Sequence, residues 1–148
     1  MRYGFQGTLY WAHDPTHADG GSPDPDDVQG RGRTVWFPTP QRAFFLNAGL
    51  SRRLDVLSRQ YFLASVPLAA GDVVVDVGAN IGELGLWLET HAPRVRYIAF
   101  EPSPSEYECL VKNTRGGETH QCGLWNEPTV LQFYINSGDV DRRGIMTP

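Results

Sequence analysis

The apolar run Val73-Val74-Val75 leads directly into Asp76-Val-Gly78-Ala-Asn80-Ile-Gly82, and Phe100-Glu101-Pro102 follows one βα unit later. A strand that ends in a glycine-rich turn, opens a helix and is followed by a second strand ending in a carboxylate belongs to a parallel α/β sheet. Such sheets hold adenosine-containing cofactors in this way, beyond the carboxyl ends of their strands. The chain therefore reads as a nucleotide-type cofactor binder.

The residue types match the demands of such a site. Gly78 and Gly82 remove Cβ atoms where the chain turns sharply and where the helix packs against the strand. Free N–H groups at the start of the following helix are expected to face the ligand. Glu101 is placed to accept hydrogen bonds from two ribose hydroxyls, which suits a free diol and repels a 2′-phosphate. The dinucleotide fingerprint G-x-G-x-x-G fits poorly, because Gly78-Ala79-Asn80-Ile81-Gly82 lacks its middle glycine. Asp76, just before the turn, would repel a pyrophosphate but attract the ammonium and sulfonium charges of S-adenosylmethionine.

The stretch Gly71 to Glu83, followed by Ile98-Ala-Phe-Glu-Pro-Ser-Pro104, Leu110 and Asn113, resembles the opening half of the FkbM-type S-adenosylmethionine-dependent methyltransferases. The resemblance covers roughly Leu50 to the end. It implies a Rossmann-like, doubly wound parallel sheet of the class I methyltransferase type, and methyl transfer to an oxygen. The implied acceptors are small molecules or glycans with a free hydroxyl, such as sugars and polyketide-type natural products. It also implies that Asp76, Gly78, Asn80, Gly82 and Glu101 are cofactor residues; Asn126, just past the third strand, is a further candidate near the adenine. The family continues with a fourth strand carrying another acidic motif and three more strands, which are not seen before Pro148. The expectation is thus residues 50–148 as the N-terminal half of a methyltransferase domain, truncated after its third strand, behind an accessory segment, 1–49.

Within that accessory segment, Thr8-Leu-Tyr-Trp11 and Thr34-Val-Trp-Phe37 are β-branched and aromatic and can pair as short strands. His13 to Arg33 reads as a long polar loop. Its Asp24, Asp26 and Asp27 are interleaved with prolines and lack the spaced pattern of a calcium loop, and Pro15 breaks the helix that a His13/His17 zinc pair would need. No metal is expected. From Leu50, the spacing of Leu50, Leu54, Leu57 and Tyr61 predicts an amphipathic helix that ends before Pro67; Tyr61 and Phe62 either pack into the core or border the cofactor.

Val73 to Val77 is apolar on both faces apart from Asp76, the mark of a central parallel strand. A helix with Ile81, Leu84 and Leu88 on one stripe follows, with Gly85 permitting close approach. Val95 to Phe100 is the second strand. Ser103-Pro104-Ser105-Glu106 reads as a capping box opening a helix whose buried stripe is Tyr107, Leu110, Val111 and Thr114. His120 to Trp125 is expected as the third strand, Thr129 to Ile135 as a further extended segment, and the tail from Ser137 to Gly144 as loop.

A net charge of −4 argues against a nucleic-acid partner, since the basic runs Arg31-Gly-Arg33, Arg52-Arg53 and Arg142-Arg143 are short and read as solvated. No apolar stretch approaches the roughly 20 residues of a membrane span, and the N-terminus lacks a signal peptide's apolar core, which makes the cytoplasm the default location. Cys109 and Cys122 have no metal-ligand spacing and are expected as reduced, buried thiols. No residue is nominated as the catalytic base; His91 and His120 are the histidines weighed for it. Two other readings stand beside the methyltransferase: a fragment of an NAD-binding Rossmann oxidoreductase, and a truncated, non-catalytic half-domain.

Overall fold

A computed structural model describes residues 2–7, 9–14, 32–130, 132–134 and 143–145. Residues 15–31 of the expected loop, with Asp24, Asp26, Asp27 and His17, and most of the tail after Ser137 lie outside these residues; the loop's expected ends, His13, Asp14 and Arg33, are strand instead. Among them, no helix is long and apolar enough to cross a membrane.

The chain opens with an antiparallel sheet of β1 (Arg2–Gln6), β2 (Leu9–Asp14) and β3 (Arg33–Phe37), in that order. The predicted pairing of the two aromatic segments is present, with Tyr10 opposite Phe37 and Trp11 opposite Trp36. β1 is a strand that the sequence pattern did not announce. Ala12 and Asp14 of β2 and Val35 and Phe37 of β3 are buried on one face, the alternation expected of a sheet covered on that side, and Leu9 is buried at the start of β2 on the other. Arg33 is buried with them, 2% exposed, and pairs with Glu89 at 3.1 Å. This corrects the reading of Arg31-Gly-Arg33 as solvated: a buried guanidinium is tolerated because Glu89 and the carbonyl of Asn113 answer it.

A short helix α1 (Pro40–Ala43), a 3-10 turn (Phe44–Leu46) and α2 (Leu50–Gln60) link the two sheets. Leu50, Leu54 and Leu57 bury the predicted stripe of α2. Its first turn has no side-chain cap of its own; Asp14 of β2 accepts the Leu50 N–H at 2.6 Å instead. Tyr61 and Phe62 do not extend the buried stripe. The helix ends at Gln60, Phe62 adopts a left-handed φ of 54°, and both rings turn into solvent, 66% and 75% exposed.

The second sheet is parallel, with order β4-β5-β6: β4 (Val73–Val77), β5 (Arg96–Phe100) and β6 (Glu118–His120), joined by α3 (Glu83–His91) and α4 (Pro104–Asn113). This mixed α/β arrangement is compatible with a Rossmann-like methyltransferase fold. β6 starts and stops earlier than predicted; Gln121 to Trp125 are not strand. Tyr97 and Ala99 of β5 are buried, whereas Val73, Val75 and Val77 are each more than half exposed. Among the described residues β4 pairs with β5 alone.

Both helices bury more than their predicted stripes. Leu86 and Trp87 join Leu88 in the interior because α2 packs against α3. In α4, Val111 is exposed and Cys109 and Asn113 are buried, because α4 lies against β3 as well as β6 and its inner face is rotated accordingly. Gly85 has the predicted role: an added Cβ would sit 2.8 Å from the Tyr97 ring. Cys109 is buried as expected, but Cys122 is only half-buried. Near the end, β7 (Gln132–Tyr134) pairs antiparallel with β8 (Arg143–Ile145), a strand where loop was expected. One hydrophobic cluster runs from Leu9 and Phe37 through Leu54 and Leu86 to Leu110.

Candidate functional site

The turn between β4 and α3 lies at the carboxyl end of β4, and three of its residues are left-handed: Gly78 (φ 77°), Asn80 (φ 54°) and Gly82 (φ 86°). Gly78 faces open space, since an added Cβ there would meet nothing within 4 Å, so the backbone conformation alone demands glycine. At Gly82 the demand is also steric. A Cβ would lie 2.7 Å from Thr114 Cγ2 and 2.9 Å from Leu110 Cδ1, so this glycine seats the turn against α4 and its end rather than against a strand.

The amides of the turn are not left for a ligand. Gly78 and Ala79 both donate to the Phe100 carbonyl, at 2.9 and 3.0 Å, Gly82 donates to Ala79, and Asn80 donates to Glu101. These turn amides are answered because the parallel strand beside the turn and the residue after it supply acceptors; the free N–H groups expected at the start of the following helix are those of α3. At the start of α3, Glu83 occupies the first turn and is bound by both arms of Arg53, at 2.6 and 2.8 Å. A carboxylate in the first turn suits the helix dipole and adds negative charge that a pyrophosphate there would meet.

Glu101 is only 7% exposed. One oxygen accepts the Asn80 N–H at 2.7 Å and the other the Ser103 N–H at 2.8 Å. A carboxylate offers about four lone-pair positions, so these two bonds orient the group and leave acceptor capacity on each oxygen. Burial pushes the Glu101 carboxyl above its ordinary range, opposed by the two amides and by Arg42, while Glu106 adds to the push.

Glu106 sits one helical turn beyond. The predicted capping box is present in residue type but not in bonding: the Ser103 hydroxyl donates to the Glu106 carboxylate instead of serving a backbone N–H. Burial works against the charged form of Glu106, yet the hydroxyls of Ser103 and Ser105 outweigh it and hold its carboxyl below the ordinary value.

Asp76 lies on the covered face of the sheet, where the Tyr97 hydroxyl donates to it at 2.7 Å. Burial raises its carboxyl above the ordinary value and the Tyr97 bond lowers it in part. Asn126 is exposed, past the end of β6. The structure thus brings Gly78, Asn80, Gly82 and Glu101 together, sets Asp76 beneath them, and leaves Asn126 at the surface. His91 is bonded to the Trp87 carbonyl and stacked on the Trp87 ring at the far end of α3. His120 stacks on Phe100 at the ends of β5 and β6.

Three further residues belong to this neighbourhood; of them only Asn113 carried a signal in the sequence, as part of the stretch that resembles the family. Arg42 of α1 donates to Asn80 Oδ1 at 2.5 Å and lies 3.6 Å from Glu106. Asn113, fully buried, accepts the Trp36 N–H and donates to the carbonyls of Trp36 and Ile81, tying β3 to the turn. Tyr97 reads in the sequence as an ordinary strand aromatic. A cavity of about 330 Å³ bordered by Glu89, Arg96 and Gly117 lies at the amino ends of β5 and β6. Ligands of parallel sheets bind at the opposite, carboxyl ends.

No protein-family model matches the chain. It is 34% identical over 110 residues to the 31-O-demethyl-FK506 methyltransferase FkbM of Streptomyces tacrolimicus, covering 68% of this chain and 42% of that protein. It is 26% identical over 107 residues to Methyltransferase 1 of Beauveria bassiana, covering 65% and 43%. Over 70 residues it is 36% identical to Methyltransferase sdnD of Sordaria araneosa, covering 43% and 26%. The chain spans less than half the length of these curated relatives.

Proposed function

The chain is a relative of the FkbM-type methyltransferases, and from that premise we propose that it forms the cofactor-binding part of an S-adenosylmethionine-dependent O-methyltransferase. The acceptor is a small molecule or glycan with a free hydroxyl. The observation that carries this reading is Glu101, a buried carboxylate at the end of β5 that two backbone amides orient and do not exhaust.

The residues fit the cofactor. Glu101 accepts the ribose hydroxyls, the open space beside Gly78 admits the ligand, and Asn80 and Gly82 hold the turn in the shape that makes that space. Asp76 contributes negative charge beneath the site, suited to a cationic ligand. Asn126 belongs to the adenine side of the same proposal. When bound, the cofactor supplies a methyl group activated by a sulfonium. Transfer to an acceptor is an in-line displacement, so the protein's share is chiefly alignment. His91 is occupied away from this end of the sheet and is not proposed as a base.

The name of the Streptomyces relative, a 31-O-demethyl-FK506 methyltransferase, supports oxygen as the acceptor atom. The nicotinamide alternative is disfavoured by the missing middle glycine, by Asp76 and by the negative charge of Glu83 in the first turn of α3. A cytoplasmic setting is part of the proposal; the unpaired thiols of Cys109 and Cys122 suit a reducing compartment.

Calorimetric titration with S-adenosylhomocysteine and with NAD tests the reading. The first is expected to bind more tightly, and Glu101→Ala to weaken it by about 1.5–3 kcal/mol, the scale of hydrogen bonds to a charged group. NAD binding as tightly as S-adenosylhomocysteine would sink the methyltransferase reading, and equal affinity in parent and variant would remove Glu101 from the site.

A further inference from the structure

We propose that Arg42 is a positioning residue for the cofactor turn, through which the N-terminal segment holds Asn80, Glu101 and Glu106 in their binding arrangement. The inference rests on the functional reading above only for the identity of what is bound; the arrangement itself is a matter of geometry.

Arg42 closes a ring of polar contacts around Glu101. One arm of its guanidinium donates to Asn80 Oδ1 at 2.5 Å. The Asn80 N–H donates to one oxygen of Glu101 at 2.7 Å, and the Ser103 N–H to the other at 2.8 Å. The Ser103 hydroxyl donates to Glu106, whose other oxygen lies 3.6 Å from the second arm of Arg42. Asn80 belongs to the β4–α3 turn, Glu101 and Ser103 to the β5–α4 turn and Glu106 to the first turn of α4. Arg42 comes from a different part of the chain and spans both turns, as a planar fork can and a point charge cannot.

Two features give this contact a functional reading. Asn80 holds a left-handed φ of 54° without being glycine, so its side chain needs a fixed partner if the turn is to keep one shape. Arg42 is also 38% exposed, and an exposed ion pair adds little to overall stability. Its effect is therefore expected at the site rather than in the melting temperature. The charged groups facing Glu101 are Glu106 from α4 and Arg42 from α1, beside the neutral amides of Asn80 and Ser103. Arg42 favours the ionised form of Glu101 and Glu106 opposes it. Removal of Arg42 must then make Glu101 easier to protonate.

The test compares the parent chain with Arg42→Met and Arg42→Lys. In the ligand-free protein, the amide resonances of Asn80 and Ser103 followed against pH report the titration of Glu101. The midpoint is expected to move upward in Arg42→Met and to return most of the way in Arg42→Lys, which restores charge but not the fork. Affinity for S-adenosylhomocysteine is expected to fall about three- to fivefold in Arg42→Met, with the melting temperature little changed. An unchanged midpoint in the methionine variant overturns the inference, as does a shifted midpoint with unchanged affinity. If the parent binds no S-adenosylhomocysteine while the midpoint still shifts, the cofactor assignment falls and the hold of Arg42 on the turn stands. Should Arg42→Met fail to fold, Arg42→Lys decides by affinity: S-adenosylhomocysteine bound as tightly as by the parent overturns the role of the fork.

Discussion

The two three-stranded sheets treat their apolar residues in opposite ways. In the antiparallel sheet β1–β3, Leu9, Ala12, Val35 and Phe37 are each at most 2% exposed. In the parallel sheet β4–β6, the valines at 73, 75 and 77 are more than 50% exposed, although the sequence of β4 is the more continuously apolar of the two. A strand's composition says what it is able to bury; the elements laid against it decide what it does bury. α4 is the clearest case, since it covers β3 and β6 at once and supplies the inner wall of both.

The largest effect on this contrast is expected at Asn113, which joins the two sheets. Asn113→Ala leaves the Trp36 N–H and the carbonyls of Trp36 and Ile81 without their partner and should cost roughly 2–4 kcal/mol by denaturant unfolding, as three hydrogen bonds are lost, the one to Ile81 fully buried. A loss below about 1 kcal/mol would mean that apolar packing alone unites the sheets.

Asp76 sharpens the contrast from the functional side, because it is a charged group on the covered face of the parallel sheet. An acid whose pKa is raised on folding adds stability below its ordinary value, here 3.8, and loses it as pH rises through the folded value. Asp76→Asn keeps an acceptor for the Tyr97 hydroxyl and has no charge to desolvate. It is therefore expected to melt above the parent at pH 7, with the difference closing below about pH 4, and to bind S-adenosylhomocysteine less well. A variant that melts lower than the parent at pH 7 would show that the ionised carboxylate is compensated there.

The smallest effect on stability is expected on the open face. Val75→Lys should change unfolding free energy by no more than about 0.5 kcal/mol, since the side chain is 52% exposed. The same substitution is expected to reduce self-association in sedimentation, because an exposed, flat, apolar strand is a template for pairing and a lysine blunts it. A large destabilisation would instead show that this face is covered.

Much of the site could be read locally. Gly78 and Gly82 announced a turn, Glu101 the end of a strand, and Ser103-Pro104 the start of a helix, each because the residue type answers a constraint within a few positions. The pairing of β2 with β3 was legible for the same reason, in two short β-branched and aromatic runs. The bonding inside the site was not. The sequence names no acceptor for the amides of the turn, because none lies near them along the chain; Phe100 and Glu101 accept them across the sheet.

What the sequence by itself determined, then, is the succession β2, β3, α2, β4, α3, β5, α4 and the chemical types placed at the carboxyl ends of β4 and β5. Periodicity, glycine positions and capping residues act over one or two turns of chain, and that is the range over which sequence carries direct physical information. Only the tertiary structure decided that Arg33 is buried against Glu89, that Arg42 reaches Asn80 and that Asn113 fastens Trp36 to Ile81. These contacts join residues dozens of positions apart. Their strength depends on burial and on partners that exist only once α4 has packed against both sheets, so the same arginine or asparagine in an isolated segment would read as an ordinary solvated side chain.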